Sequence, residues 1–243
     1  MLFENVPSFY SSSSYLALKE LLNPIYPYAI GPIQIDSYDF GSIAHRNRSY
    51  VVYLREKEDF ENFRVPKAPV FRRLKLRDYL DSKGAVHEWK SVSTWFDSFA
   101  SKGEKNNSWA LRSTKKTFVH PESCTEIQCI PRRYRSQSAS NSYVLNDEGT
   151  HWRFLTVSEL RRIFHIPKWF EFPSYIPVYR MVEMIGQSIC GLVVRAFANE
   201  IASMFVRRNS RAASARSDSR IEEKQYDTGL TRDHDGQIGF VFA

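Results

Sequence analysis

Two arginines and one carboxylate carry the chemistry that this chain can be read for. Glu4 closes a short apolar run, Leu2-Phe3, that reads as the end of a strand. Some forty residues on comes Ala44-His45-Arg46-Asn47-Arg48-Ser49-Tyr50, in which Arg46 and Arg48 alternate. On an extended segment alternate side chains share a face, so one face carries both guanidiniums. A carboxyl group can hold or donate a proton, and a guanidinium can hold an oxygen or a phosphate. A second basic cluster, Cys129-Ile130-Pro131-Arg132-Arg133-Tyr134-Arg135, offers three more guanidiniums. Gly186-Gln187-Ser188-Ile189 places small and polar residues within a helical stretch.

The elements that would position these groups can be read in outline. Residues 1–55 alternate α and β. Tyr15 to Leu22 has helical periodicity with serines ahead of it to cap it, and Pro24 and Pro27 stop it. Ile33-Gln34-Ile35 and Ser49 to Leu54 read as strands. Residues 56–150 are polar, weakly periodic and basic: from Arg55 to Arg153 there are 19 Lys and Arg against 13 Asp and Glu. Irregular basic sequence interleaved with aromatics suits a surface laid on DNA phosphates. Thr156-Val157-Ser158-Glu159 is a capping box that opens a helix, with Leu160, Ile163 and Phe164 on one face and Pro167 ending it. Residues 178–206 form the longest apolar-periodic stretch. From Arg207 the composition turns basic and low in complexity, and residues 207–243 are expected to be mostly disordered.

Composition sets bounds on the whole. The 243 residues are 42% hydrophobic and 14% aromatic, enough for a packed core in one large or two small domains. A net charge of +7 favours a polyanionic partner, nucleic acid first. Cys124, Cys129 and Cys190 are an odd number at no metal-ligand spacing, so no metal is expected. No apolar run approaches a membrane span, and the expected setting is a reducing cytoplasm or nucleoid, or a nucleus if the source is eukaryotic.

Taken in order, these motifs resemble the second half of a DNA cytosine-5 methyltransferase. Glu4-Asn5-Val6 matches the family's Glu-Asn-Val. Gly41, Arg46 and Arg48 match its Gly and Gln-x-Arg-x-Arg, with Ala44 in place of the glutamine. Arg153-Phe154-Leu155-Thr156 through Glu159 to Arg162-Ile163 is the most extended match, and Gly186-Gln187-Ser188-Ile189 stands where the family has Gly-Asn-Ser-Val. The resemblance covers residues 2–206. It implies an α/β fold: part of a Rossmann-like, S-adenosylmethionine-dependent methyltransferase sheet plus a small, irregular, β-rich target recognition domain. It divides the chain into 1–55, the second part of the catalytic domain; 56–153, target recognition; 154–206, a helical return; and 207–243, the basic tail.

The resemblance also implies roles. Glu4 would be the carboxyl at ring N3 of a flipped cytosine and Arg48 the arginine near O2. Gly186, Gln187 and Ser188 would line the cofactor pocket, Arg132, Arg133 and Arg135 would contact double-stranded DNA, and Arg46 would hold structure or a DNA phosphate. None of the three cysteines follows a proline, so none stands in the family's Pro-Cys nucleophile motif, and the Phe-x-Gly-x-Gly cofactor loop is absent from these residues. The leading expectation is therefore one part of a split methyltransferase, inactive alone, with a second polypeptide supplying the cofactor loop and the cysteine. The alternative is a non-catalytic DNA-binding remnant or a truncated fragment.

Overall fold

The computed structural model describes residues 1–82, 88–100, 116–216, 230–232 and 238–240. Three strands form the first sheet: β1 (Leu2–Asn5), β2 (Tyr28–Asp36) and β3 (Asn47–Leu54), in the order β1-β3-β2 and antiparallel throughout. β3 lies in the middle, and its residues from Ser49 to Leu54 are all buried. Gly31, at φ +123°, lets β2 slip register between Ile30 and Ile33; a Cβ there would stand 2.5 Å from the Tyr50 carbonyl oxygen. Helix α1 (Ser13–Leu22) is capped by Ser12, whose hydroxyl accepts from the Tyr15 N–H. A tyrosine and phenylalanine cluster joins it to the strands: Tyr15 meets Tyr10 and Phe9, and its hydroxyl lies 3.3 Å from that of Tyr53.

The other face of the sheet is covered by α6 (Gly191–Arg216). Tyr50, Val52 and Leu54 of β3 and Ile35 of β2 pack there with Val193, Phe197 and Met204. Helix α2 (Lys57–Asn62) follows β3 directly, and Phe63 joins this same cluster, so packing against the first sheet continues beyond residue 55. A second sheet of very short strands takes the order β4-β7-β6-β5: β4 (Lys90–Ser91), β5 (Phe118–Val119), β6 (Tyr143–Leu145) and β7 (His151–Arg153). It packs with α3 (Val92–Ala100) around Trp95, Tyr143 and Trp152. Between the two sheets, α4 (Val157–Ile163) and α5 (Val178–Gln187) contribute Leu160, Ile163, Val182 and Ile185 to a third cluster with Ile43, Ile127, Ile130 and Tyr134. A two-stranded ribbon, β8 (Leu230–Arg232) with β9 (Ile238–Phe240), completes the elements.

The capping box forms as expected, and it sits inside a larger network. Glu159 is fully buried and accepts four hydrogen bonds: two of 2.7 Å from the Arg153 guanidinium, one from the Thr156 N–H and one from the Asp81 N–H. A carboxylate has room for about four, so its acceptor sites are all used.

Two expectations need correction. The single apolar-periodic stretch of 178–206 is two helices. Ser188 ends α5, its N–H donating to the Ile185 carbonyl, and α6 sets off bent by 45°. Helical spacing of apolar residues continues across the break, which is why periodicity misses it. The basic tail is also not disordered from Arg207, because α6 runs on to Arg216. Arg207 donates to the Asn62 carbonyl and pairs with Glu200, and Arg208 pairs with Asp59 at 2.9 Å. The remainder, 217–229, 233–237 and 241–243, lies outside the described residues. Among the described residues no single helix is long and apolar enough to cross a membrane.

Two changes test this packing. Glu159→Ala leaves the Arg153 guanidinium buried and uncompensated, and is expected to cost about 3–5 kcal/mol in urea unfolding; a loss under about 1 kcal/mol would show that the pair is not buried. Gly186→Ala puts a Cβ 2.4 Å from the Pro131 carbonyl oxygen. It is expected to lower stability by about 1–3 kcal/mol, although alanine is the better helix former; a stabilised variant would contradict the close approach.

Candidate active site

Glu4 and Arg48 meet across the β1–β3 pair. Glu4 is opposite Tyr50 in register, and its Oε1 lies 3.1 Å from Arg48 Nε, with the two side chains only 17% and 19% exposed. They project on the face that α6 covers, at the end of the sheet where α5 gives way to α6. Burial pushes the Glu4 carboxyl above its ordinary range, against the pull of Arg48 and then Arg46. An ion pair alone would lower it, so desolvation outweighs the neighbouring charge. Asn5 holds the turn that follows, its side-chain oxygen accepting from the Val6 N–H at 2.8 Å. Arg48 spends one nitrogen on the Asn47 carbonyl at 2.7 Å.

Arg46 shares that face, as alternation predicts, and of the two roles expected of it, structure or phosphate, its surroundings are those of the first. Arg46 is 4% exposed. Its guanidinium donates to the Gly186 carbonyl at 3.2 Å and the Ile130 carbonyl at 3.5 Å, and lies over the Phe164 ring. Burial lowers its ionisation first, with Arg48 adding to this. Buried and committed to these carbonyls, Arg46 is a structural clamp. Gly186 is likewise held by protein: Arg46 takes its carbonyl, and the Pro131–Arg132 backbone fills the space a Cβ would need. The group that approaches this glycine closely is backbone. Gln187 is exposed and reaches only its own helix, donating to the Glu183 carbonyl at 3.3 Å, and the Ser188 hydroxyl donates to Ile185.

Of the other arginines, Arg132 is 57% exposed and lies 3.6 Å from Glu183, while Arg133 and Arg135 are exposed. Arg135 lies over the Phe154 ring. Arg132 follows the backbone that contacts Gly186, so it joins the same neighbourhood as Glu4 and Arg48 through Arg46. His45 is a clasp: its ring stacks on Tyr38, Nδ1 lies 2.8 Å from Asp36 and Nε2 3.0 Å from Glu126. Among the described residues no group of His, Cys, Asp and Glu forms a metal site.

Three residues near the site escape sequence reasoning. Tyr50 is the next residue on the Arg46–Arg48 face, and its phenol is pushed up by burial and then by Glu4. The same alternation could have found it. Tyr10 donates to the Ser49 carbonyl at 2.9 Å and is raised by burial, Tyr15 and Glu4. Cys129 is exposed, with its sulfur 3.9 Å from Arg46 Nη1. Neither of the last two carries a sequence signal of proximity.

Comparison with known proteins follows this geometry. Among solved structures, the chain is similar to the Entamoeba histolytica methyltransferase EhMeth (16% identity, TM-score 0.62, covering 85% of this chain and 62% of that one). It is also similar to the S. pombe Dnmt2 methyltransferase (19%, 0.61, 82% and 63%) and to a Spodoptera frugiperda DNMT2 mutant (14%, 0.62, 84% and 66%). The chain thus spans less than two thirds of the length of each. At these identities the likeness is one of fold, and it agrees with the expected α/β methyltransferase class. No curated protein matches the chain. Residues 1–203 match the family described as C-5 cytosine-specific DNA methylase, and with that match over most of its length the chain belongs to that family.

Proposed function

We propose that this chain supplies part of the reaction centre of a DNA cytosine-5 methyltransferase, acting on a cytosine flipped out of duplex DNA. The observation that carries the proposal is the Glu4–Arg48 pair, mostly buried, with a carboxyl held above its ordinary range. C5 of the neutral cytosine ring is a poor nucleophile. Addition of a thiolate at C6 makes C5 enamine-like and moves negative charge toward N3 and O2. A carboxyl that keeps its proton to higher pH can share that proton at N3, and a guanidinium beside it can hold O2. Glu4 and Arg48 take those roles.

The thiolate and the cofactor loop belong, in this proposal, to a polypeptide outside these 243 residues. β1 is the natural place for it to join. Met1 and Tyr53 exchange both backbone hydrogen bonds, so by antiparallel alternation Leu2 and Glu4 direct their backbone groups away from β3. S-adenosylmethionine, the methyl donor that the family implies, supplies the methyl group when bound. Gln187 and Ser188, at the end of α5, are the residues of this chain proposed to reach it, while Gly186 acts by packing. Arg132, Arg133 and Arg135 are proposed to contact DNA.

Methyl transfer from labelled S-adenosylmethionine to DNA tests this, with the chain alone and with a polypeptide carrying the missing motifs. Activity is expected only in the mixture. Glu4→Gln is expected to lower it roughly 10²–10⁴-fold and Arg48→Ala roughly 10²–10³-fold; rates unchanged by both would sink the assignment. The pH dependence gives a second check. A carboxyl raised in the folded state favours folding below its unfolded value of about 4.3, and that contribution is lost as pH rises through the folded value. The stability of the wild type relative to Glu4→Gln is therefore expected to be greatest near pH 4 and to fall toward pH 7, read as paired urea midpoints. A difference that grows with pH would mean that Arg48, and not burial, governs Glu4.

A further inference from the structure

Between residues 76 and 153 the described cations are largely spent within the protein. Arg77 pairs with Glu122, Lys90 with Glu88, Lys116 with Glu126, Arg132 with Glu183 and Arg153 with Glu159. Only Arg133 and Arg135 have no carboxylate partner among the described residues.

Residues 64–75, Arg-Val-Pro-Lys-Ala-Pro-Val-Phe-Arg-Arg-Leu-Lys, are the opposite case. They hold five cations and no carboxylate, in neither helix nor strand, and they run along α6 between α2 and Leu76. Two of the five anchor the segment. The Arg64 N–H donates to Glu200 at 2.8 Å and its guanidinium to the Glu61 and Phe63 carbonyls. The Arg73 guanidinium lies 3.5 Å over the Tyr38 ring and donates to the Tyr38 carbonyl. Lys67, Arg72 and Lys75 are exposed, and none has an ion pair among the described residues. Lys67 also faces the exposed Arg195 across a groove of about 360 Å³ between this segment and α6.

We infer that residues 64–75 form a second, sequence-independent hold on duplex DNA, with Lys67, Arg72 and Lys75 on phosphates. The inference rests on the DNA-acting reading above and adds a surface outside both the Glu4–Arg48 pair and the Arg132–Arg135 cluster. A segment pinned at both ends loses little further freedom when its cations meet phosphates, so more of the gain from released counterions survives as affinity. From Lys67 to Lys75 the chain reaches at most about 29 Å. Duplex phosphates recur about every 3.4 Å of axis on each strand, so a segment of this length can run past several of them. Phosphate contacts of this kind position a protein without reading bases.

Anisotropy titrations of the full chain on labelled duplex DNA, across a salt series, test it. Lys67→Gln/Arg72→Gln/Lys75→Gln is expected to flatten the slope of log affinity against log salt by roughly 2–3, and to weaken binding equally on duplexes of different sequence. Lys67→Arg/Lys75→Arg is expected to keep the wild-type slope. All these positions are exposed, so urea midpoints should not move. If the glutamine variant keeps the wild-type slope while Arg133→Gln/Arg135→Gln loses affinity, the inference fails and the methyltransferase reading stands. If the wild type binds no duplex at low salt, the inference fails, and the methyltransferase reading is decided by the mixed methyl-transfer assay. Tighter binding to duplex RNA than to DNA of equal length would overturn the choice of partner.

Discussion

One guanidinium ties the parts of this molecule together. Arg46 enters from the segment leading into β3, and its two terminal nitrogens reach carbonyls from two separate places: Gly186 at the end of α5 and Ile130 in the segment after Ile127. Its backbone is held as firmly, the N–H donating to Asp36 at 2.8 Å and the carbonyl accepting from the Ser37 N–H at 3.1 Å. Burying a guanidinium costs several kcal/mol unless its donors are used. Here both terminal nitrogens find carbonyls while Nε has no partner, and only with the three segments together are those carbonyls within reach. The position of Arg48, two residues on, follows from that arrangement, and with it the meeting with Glu4.

A second buried arginine does comparable work further along. Arg153 and Glu159 form a forked pair, and the same carboxylate holds Asp81 and the start of α4. The two arginines stand on either side of the third core cluster, where Ile43, Ile130, Leu160 and Ile185 pack together. Apolar packing brings these segments close, and the directed hydrogen bonds select which contacts they make.

How much of this was legible depended on distance along the chain. The capping box at Thr156–Glu159 and the shared face of Arg46 and Arg48 were readable, because both are set by local geometry. What distinguishes the two arginines was not: one is buried by α5, about 140 residues away, and the other meets a strand more than forty residues back. The helix from Arg207 to Arg216 was unreadable for the same reason, since Asp59 and Asn62 dock its start from the far end of the chain. The second sheet was unreadable for another: its strands of two or three residues are too short to show an alternation. The family motifs led to the right fold, yet they did not separate residues that pack from residues left at the surface, as Gly186 illustrates.

The outer edge of β1 is an open side of the first sheet among the described residues. Strand edges in stable monomers are usually shielded by a charge, a proline or a bulge. Here the charge nearest the edge, Glu4, is turned onto the sheet face and engaged by Arg48, and Pro7 comes only after the strand has ended. Exposed Met1 and Val6 flank this edge. Among the described residues no strand pairs with this edge, so a strand laid against β1, from this chain or another, would extend the three-stranded sheet. One edge admits one strand at a time, so strands able to use it compete for the same backbone groups.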